Sequence, residues 1–177
     1  AFLGAESREA VVRLAGRVAT QTSESSNQGW LELCEQGLRV PANVQVRKLY
    51  FAIMEGLFGG GKLATVAESK IEKIILLAAQ QDSDPINQQA AVRMLASINS
   101  EAAKKLSLDL LASQDVSLSK MAIRVCSAHN TMEFSDWLLD HFGSALPELR
   151  SEMFQAIRSN ANRMQHFLER LEAGTFS

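Results

Sequence analysis

The sequence predicts an all-α fold, a right-handed α-solenoid of about five antiparallel helix pairs that takes residues 1–177 as a single domain. Three observations predict it. Apolar residues recur at intervals of three and four along nearly the whole chain, with no alternation of period two that would mark a strand. The 177 residues include only 3 prolines and 1 tyrosine, and the abundance of Ala, Leu, Gln, Glu and Arg favours helix. The apolar anchors of the later helices recur at steps in the low thirties, the period of a stacked helical hairpin.

The elements follow in order. Val11, Leu14, Ala15 and Val18 give the first apolar stripe, and Trp30, Leu33, Cys34 and Leu38 a shorter second one. The third is the most regular: Val46, Leu49, Tyr50, Ile53, Met54 and Leu57. Ile71, Ile74, Ile75 and Ala78 make the fourth, and Ile86, Ala90, Met94 and Ile98 the fifth. Later stripes are Ala103, Leu106 and Leu110; Leu118, Met121, Ala122 and Val125; and Phe134, Trp137 and Leu138. Leu149, Met153 and Ile157, then Met164, Phe167, Leu168 and Leu171, close the series. Both tryptophans lie on these stripes and are assigned to core packing.

Polar punctuation falls between the stripes. Asn27 is a cap for the second helix, and Pro41-Ala42-Asn43 separates the second from the third. Asp84 before Pro85 reads as N-cap and first helical residue, where the missing N–H of proline costs nothing. Asp115 opens another helix, and Gly143-Ser144 before Pro147 marks a further break. Short connections predict that consecutive helices pack as antiparallel hairpins. Superposing the stripes aligns Ile86, Leu118 and Leu149 as first anchors. Ala90, Ala122 and Met153 follow as second anchors, and Met94, Cys126 and Ile157 as third. The two steps between them are nearly equal, as a repeat requires.

Composition excludes several classes. With 46% hydrophobic and 21% charged residues the chain is an ordinary globular one, and a net charge of −2 gives no general attraction to nucleic acid or anionic membrane. No apolar run approaches the roughly 18 residues that span a bilayer. The chain opens A-F-L-G-A-E-S without an initiator Met or a basic leader, as a segment excised from a longer protein would. Cys34 and Cys126 are far apart, each among apolar neighbours at helical spacing, and read as small buried side chains compatible with either redox compartment.

One stretch imitates reaction chemistry. From Gly56 the chain reads G-L-F-G-G-G-K-L, seven positions of the phosphate-cradling loop G-x-x-x-x-G-K-[ST]. A phosphate loop follows a strand and supplies a hydroxyl to Mg²⁺; here a helix from Val46 to Leu57 precedes it, and Leu63 stands where the hydroxyl belongs. Gly59, Gly60 and Gly61 are therefore expected to stop the third helix in left-handed conformations. His129, His141 and His166 fall in different repeats, and Asp136 with Asp140 reads as a solvated face rather than a cation site, since zinc needs three or four convergent ligands. Arg93 and Arg124, about one repeat apart, form at most a modest basic strip with Lys104 and Lys105. They are expected to be surface charges paired with neighbours such as Glu101. No catalytic, cofactor-binding or metal residue is assigned, and the binding face is left open.

The D-x-x-x-x-x-A-x-x-R-M-L run from Asp84 to Leu95 resembles HEAT-type repeats, which carry an Asp at the turn and a basic residue further along the first helix; Glu148 to Ile157, "ELRSEMFQAI", restores the same form. A HEAT/ARM-like superhelix is the architecture this implies. Three passages extend the resemblance: "LYFAIMEGLFGGGKL", "DPINQQAAVRMLASI" and "LPELRSEMFQAIRSNANRMQHFLERLEAGTFS". They are similar to the α-helical, HEAT-like segment of large multidomain proteins of planctomycetes and related bacteria. There a β-propeller "membrane-bound dehydrogenase" domain precedes the helical repeats, and a cytochrome-c-like domain with a C-x-x-C-H haem motif follows them.

No C-x-x-C-H occurs in this chain, so no haem ligand carries over and no cofactor is assigned. The resemblance implies a non-catalytic, exported scaffold or docking segment between an oxidoreductase-like and an electron-carrying domain, with protein rather than a small molecule or membrane as its partner. The alternative is a solenoid that wraps nucleic acid; it requires strongly positive repeats, against 18 basic and 20 acidic residues here.

Overall fold

The computed structural model describes residues 4–39, 44–59, 70–82 and 84–174. Among the described residues there are ten α-helices and no strand. They are α1 (Ala5–Gln21), α2 (Glu24–Arg39), α3 (Val44–Gly59), α4 (Lys70–Gln81), α5 (Pro85–Leu95), α6 (Glu101–Leu111), α7 (Val116–His129), α8 (Met132–His141), α9 (Pro147–Arg158) and α10 (Ala161–Glu172). The fold class is all-α, of the α-solenoid kind. The chain forms two compact units, Ala1–Ala103 and Lys104–Ser177, with α6 beginning in the first and running into the second.

In the first unit α3 is the hub: α1, α2 and α5 all pack on it, and α4 pairs with α5. Its second half is consequently buried on nearly every side, at Phe51, Ala52, Met54, Gly56, Leu57 and Phe58. The most extensive pairing in this unit is α1 on α3, which passes over α2. Two glycines allow it. A Cβ on Gly56 would lie 2.4 Å from the Val12 carbonyl oxygen and 2.6 Å from the Ala15 Cβ, and one on Gly16 would lie 3.3 Å from the Gly56 carbonyl oxygen. The expectation that chain neighbours pair most closely therefore holds for α4 with α5 but not at α1. There a backbone-to-backbone crossing is reached only by a helix presenting glycine and alanine.

That crossing also turns the first two stripes. On α1 the buried residues are Ala15 and Ala19, while Leu14 faces solvent. On α2 they are Leu31, Cys34 and Leu38, and Trp30 with Leu33 is exposed, so Trp30 is not a core residue. On α3 Val46 is exposed, because burial there begins only at Phe51. Asn27 lies inside α2 rather than at its cap, since the helix already begins at Glu24; Ser23 precedes it, with its hydroxyl 3.4 Å from the Ser26 amide. Pro41–Asn43 lie outside the described residues.

The third helix enters the glycine stretch as a helix, as read from the sequence. Gly59 is its last residue and is not left-handed; among the described residues positive φ occurs at Asn130 and Gly174. Gly60, Gly61, Lys62 and Leu63 lie outside the described residues. Gly56, far from stopping the helix, is the buried contact point of the α1 crossing.

In the second unit α7 packs on α9, and α9 in turn on α10 and α8. Ile123, Cys126, Phe134, Leu138, Met153 and Ile157 lie in one core, with Trp137 half-buried at its margin and stacked on His141 at 4.7 Å. Both cysteines are free and buried, as expected, and burial pushes each thiol up to about 12.

The helix starts give the repeat its register. α5, α7 and α9 begin at positions 85, 116 and 147, which are evenly spaced. Asp84 and Asp115 cap the first two, accepting from the amides of Ile86 and of Ser117 and Leu118 respectively. Pro147 opens the third. This even spacing corrects the first anchor: the position of Leu118 and Leu149 is held in α5 by Asn87, not Ile86. Ile86 is exposed, whereas Asn87 is fully buried and neither polar atom of its side-chain amide has a hydrogen-bond partner. The second anchor in α5 is likewise Ala91 and the third Leu95, both buried. The sequence-derived anchors Ala90 and Met94 are buried too, because α5 is packed on by both α3 and α4.

Candidate functional site

Arg93 and Arg124 occupy the same register position on α5 and α7, each the ninth residue of its helix. Each is committed to a carboxylate on another odd-numbered helix of its own unit. Arg93 donates to Glu55 of α3, and Arg124 donates through two nitrogens to Glu152 of α9. Glu55 also receives Arg8 of α1. Burial works to raise the Glu55 carboxyl, but the hydrogen bonds and charges of Arg93 and Arg8 prevail and hold it below the usual range. Glu152 is likewise lowered, chiefly by its hydrogen bond from Arg124. These arginines are therefore paired, as expected, Arg93 with Glu55 and Arg124 with Glu152. Lys48 with Asp84 and Arg47 with Asp82 bind the start of α3 to the segment before α5.

A polar cleft of about 210 Å³ lies in the second unit beside the α7–α8 turn, with Asn130, Ser135, Asp136, Asn160, Arg163 and His166 among its lining residues. Asn130 is the left-handed residue that ends α7, and Asn160 is the N-cap of α10, accepting from the amides of Asn162 and Arg163. The Asn160 side-chain amide donates to Asn130 Oδ1. Beneath them Arg163 is only 3% exposed. Its guanidinium donates to three neutral oxygens: Ser135 Oγ at 3.2 Å, the Ala156 carbonyl at 3.1 Å and Asn130 Oδ1 at 2.6 Å. It also lies 4.9 Å over the Phe134 ring, and burial pushes its pKa down. One side chain thus joins α8, the end of α9 and the α7–α8 turn. The chemistry is that of a tie: a buried cation costs several kcal/mol unless its donors are satisfied, and here the donors are fixed on protein oxygens.

The remaining sequence candidates do not converge. Asp140 pairs with Arg170, while Asp136 and His166 line the cleft and His141 sits on Trp137 with its ring nitrogen 2.9 Å from the Trp137 carbonyl. Among the described residues no three of His, Cys, Asp and Glu come together as a metal set, and no described helix is long and apolar enough to cross a membrane. Reading the sequence for sites passes over Arg163. A signal is present: the residue stands four before Phe167, on the apolar stripe of α10, where a charge is out of place.

Compared with known families, residues 72–158 match the family model described as HEAT repeats. The match runs from α4 to the last residue of α9 and covers the evenly spaced α5, α7 and α9. This stretch is a HEAT-like repeat segment. HEAT repeats are in general non-enzymatic and serve as protein-interaction modules. No curated protein and no solved structure gives a significant match to the chain.

Proposed function

We propose that residues 1–177 act as one HEAT-like module, a non-catalytic scaffold within a longer protein that docks an oxidoreductase-like domain against a cytochrome c domain. The observation that carries the reading is the coincidence of the HEAT match with α4 to α9, whose helices repeat in register and whose arginines are committed to neighbouring helices. The resemblance of three passages to the planctomycete segments is what supports this choice of flanking domains. Stacked helical hairpins leave long helix faces available to partners, and binding there needs no reactive group.

The test is direct. The purified chain is titrated with each neighbouring domain of its parent protein by calorimetry, and the melting temperature of each is measured alone and mixed. Association and mutual stabilisation are expected. No heat and no shift with either domain reduces the segment to a passive spacer. Sequencing the full reading frame for a C-x-x-C-H motif beyond Ser177 tests the context independently.

A further inference from the structure

The tie at Arg163 satisfies hydrogen bonds without neutralising the charge. Its partners are the Ser135 hydroxyl, the Ala156 carbonyl and the Asn130 amide oxygen, none of them anionic. Burial pushes its pKa down, and no carboxylate holds it up. Arg93, Arg124 and Arg170, all more exposed, each meet a carboxylate. A guanidinium has five N–H bonds. Nε gives its single hydrogen to Ser135, and each terminal nitrogen commits one hydrogen to the protein and keeps a second. A cation this deeply buried attracts an anion more strongly than a solvated arginine does, because little water screens it.

Arg163 lines the cleft, and so do the starts of two helices. Thr131 is the N-cap of α8 and Asn160 the N-cap of α10. The N-terminal ends of both helices add positive potential at the same place. Two further features set what can enter. Met132 and Leu139 give the cleft an apolar wall, and Asp136, which is exposed, contributes one negative charge. That charge opposes a phosphate dianion more than a single carboxylate. The volume of about 210 Å³ suits one side chain rather than a whole drug-sized molecule, whose pockets begin at about 300 Å³. Both hairpins that wall the cleft, α7–α8 and α9–α10, lie among the described residues. The cleft is at the start of α10, a 12-residue helix, and so about 18 Å from Glu172 at its other end.

We propose that this cleft anchors an acidic side chain, glutamate or aspartate, of a protein partner. The carboxylate meets the Arg163 guanidinium, and the methylenes lie on Met132 and Leu139. The inference rests on the reading of the chain as a protein-interaction module and gives the chemistry of what that module recognises.

The test uses N-acetylglutamic acid α-amide as probe, titrated into the whole 177-residue chain at constant ionic strength and followed by amide NMR. N-acetylglutamine amide is the uncharged control. The glutamate probe gives saturable shifts at the starts of α8 and α10 and at the Arg163 Nε–H, with a Kd on the order of 1 mM; the glutamine compound gives none. Asp136→Asn tightens binding about threefold, and His166→Glu weakens it by a similar factor. Both residues are exposed, and a gain in affinity is not produced by misfolding. Arg163→Lys keeps the charge but loses the planar fork, and weakens binding by at least about tenfold. N-acetylalanine, whose carboxylate is a chain terminus, and inorganic phosphate are titrated in parallel, and both bind more weakly than the glutamate probe. Absence of saturable shifts, an equal response to the glutamine compound, tighter binding of phosphate or N-acetylalanine, or an Asp136→Asn chain that binds no better each overturns the proposal. Because the chain is tested without its neighbouring domains, failure of the probe leaves their docking standing, and failure of that docking leaves an observed carboxylate site standing.

Discussion

In the first unit α1 reaches α3 backbone to backbone, through Gly16 and Gly56, and Glu55 of α3 is gripped by arginines from α1 and α5. In the second unit α7 and α9 keep large side chains between them, and the tie is a buried arginine held by neutral oxygens. The difference is one of tolerance. A glycine crossing is steric and fails with a single added carbon, whereas a polar tie degrades by the value of the bonds it loses. The even repeat spacing belongs to α4 through α9; the glycine crossing stands outside it.

The sharpest way to break the contrast is Gly56→Val. Its side chain has nowhere to go between the Val12 carbonyl and Ala15, and the expected cost is about 3 kcal/mol. Hydrogen exchange read by mass spectrometry should show the lost protection in α1 to α5 and little change in α7 to α10. Equal loss in both units would mean that they do not open separately. Arg163→Met is the counterpart in the second unit. It keeps most of the volume but removes the guanidinium's bonds to Ser135, Ala156 and Asn130, a loss of about 2 kcal/mol in urea unfolding. A neutral outcome would show that Arg163 fills space without tying.

Asn87→Leu sharpens the comparison in the other direction. Leu118 and Leu149 hold the equivalent position in α7 and α9, and the Asn87 amide is buried without a partner. Relieving it should raise stability by about 1 kcal/mol, seen as a higher urea midpoint with an unchanged slope; a fall would show the pocket to be shaped for the amide.

The smallest expected effect is acid sensitivity at Glu55. Its carboxyl is held below the usual range by Arg93 and Arg8 against the opposing effect of burial. Its ionisation therefore contributes stability that is complete above the ordinary carboxylate pKa and is lost as the pH falls through the depressed value. Glu55→Gln should lower stability at pH 7 and leave the first unit less dependent on pH between about 5 and about 3. Unfolding curves with the same acid limb as the parent chain would place that limb elsewhere.

Much of the fold is legible in the residues. The helical period, the capping aspartates Asp84 and Asp115 and the proline starts at 85 and 147 are local signals. Local signals survive into the structure because each governs only a turn or so of backbone. The faces are less legible. Trp30 and Leu14 sit at helical spacing with true core residues, yet face solvent, because hydrophobicity does not say which side of a helix a neighbour will take. Arg163 escapes notice because a charge counts as exposed until its partners are known, and those partners come from α8, the end of α9 and the turn after α7.

By itself the sequence determined the all-helical class, the boundaries set by its caps and a repeat in the thirties, since these depend on residues within a few positions of one another or on a simple recurrence. Only the tertiary structure decided that α1 lies on α3, that Asn87 rather than Ile86 fills the anchor, and that Arg93 and Arg124 answer to Glu55 and Glu152. Those choices turn on contacts between residues tens of positions apart, where the space left by a missing Cβ, or the charge waiting on another helix, selects the partner.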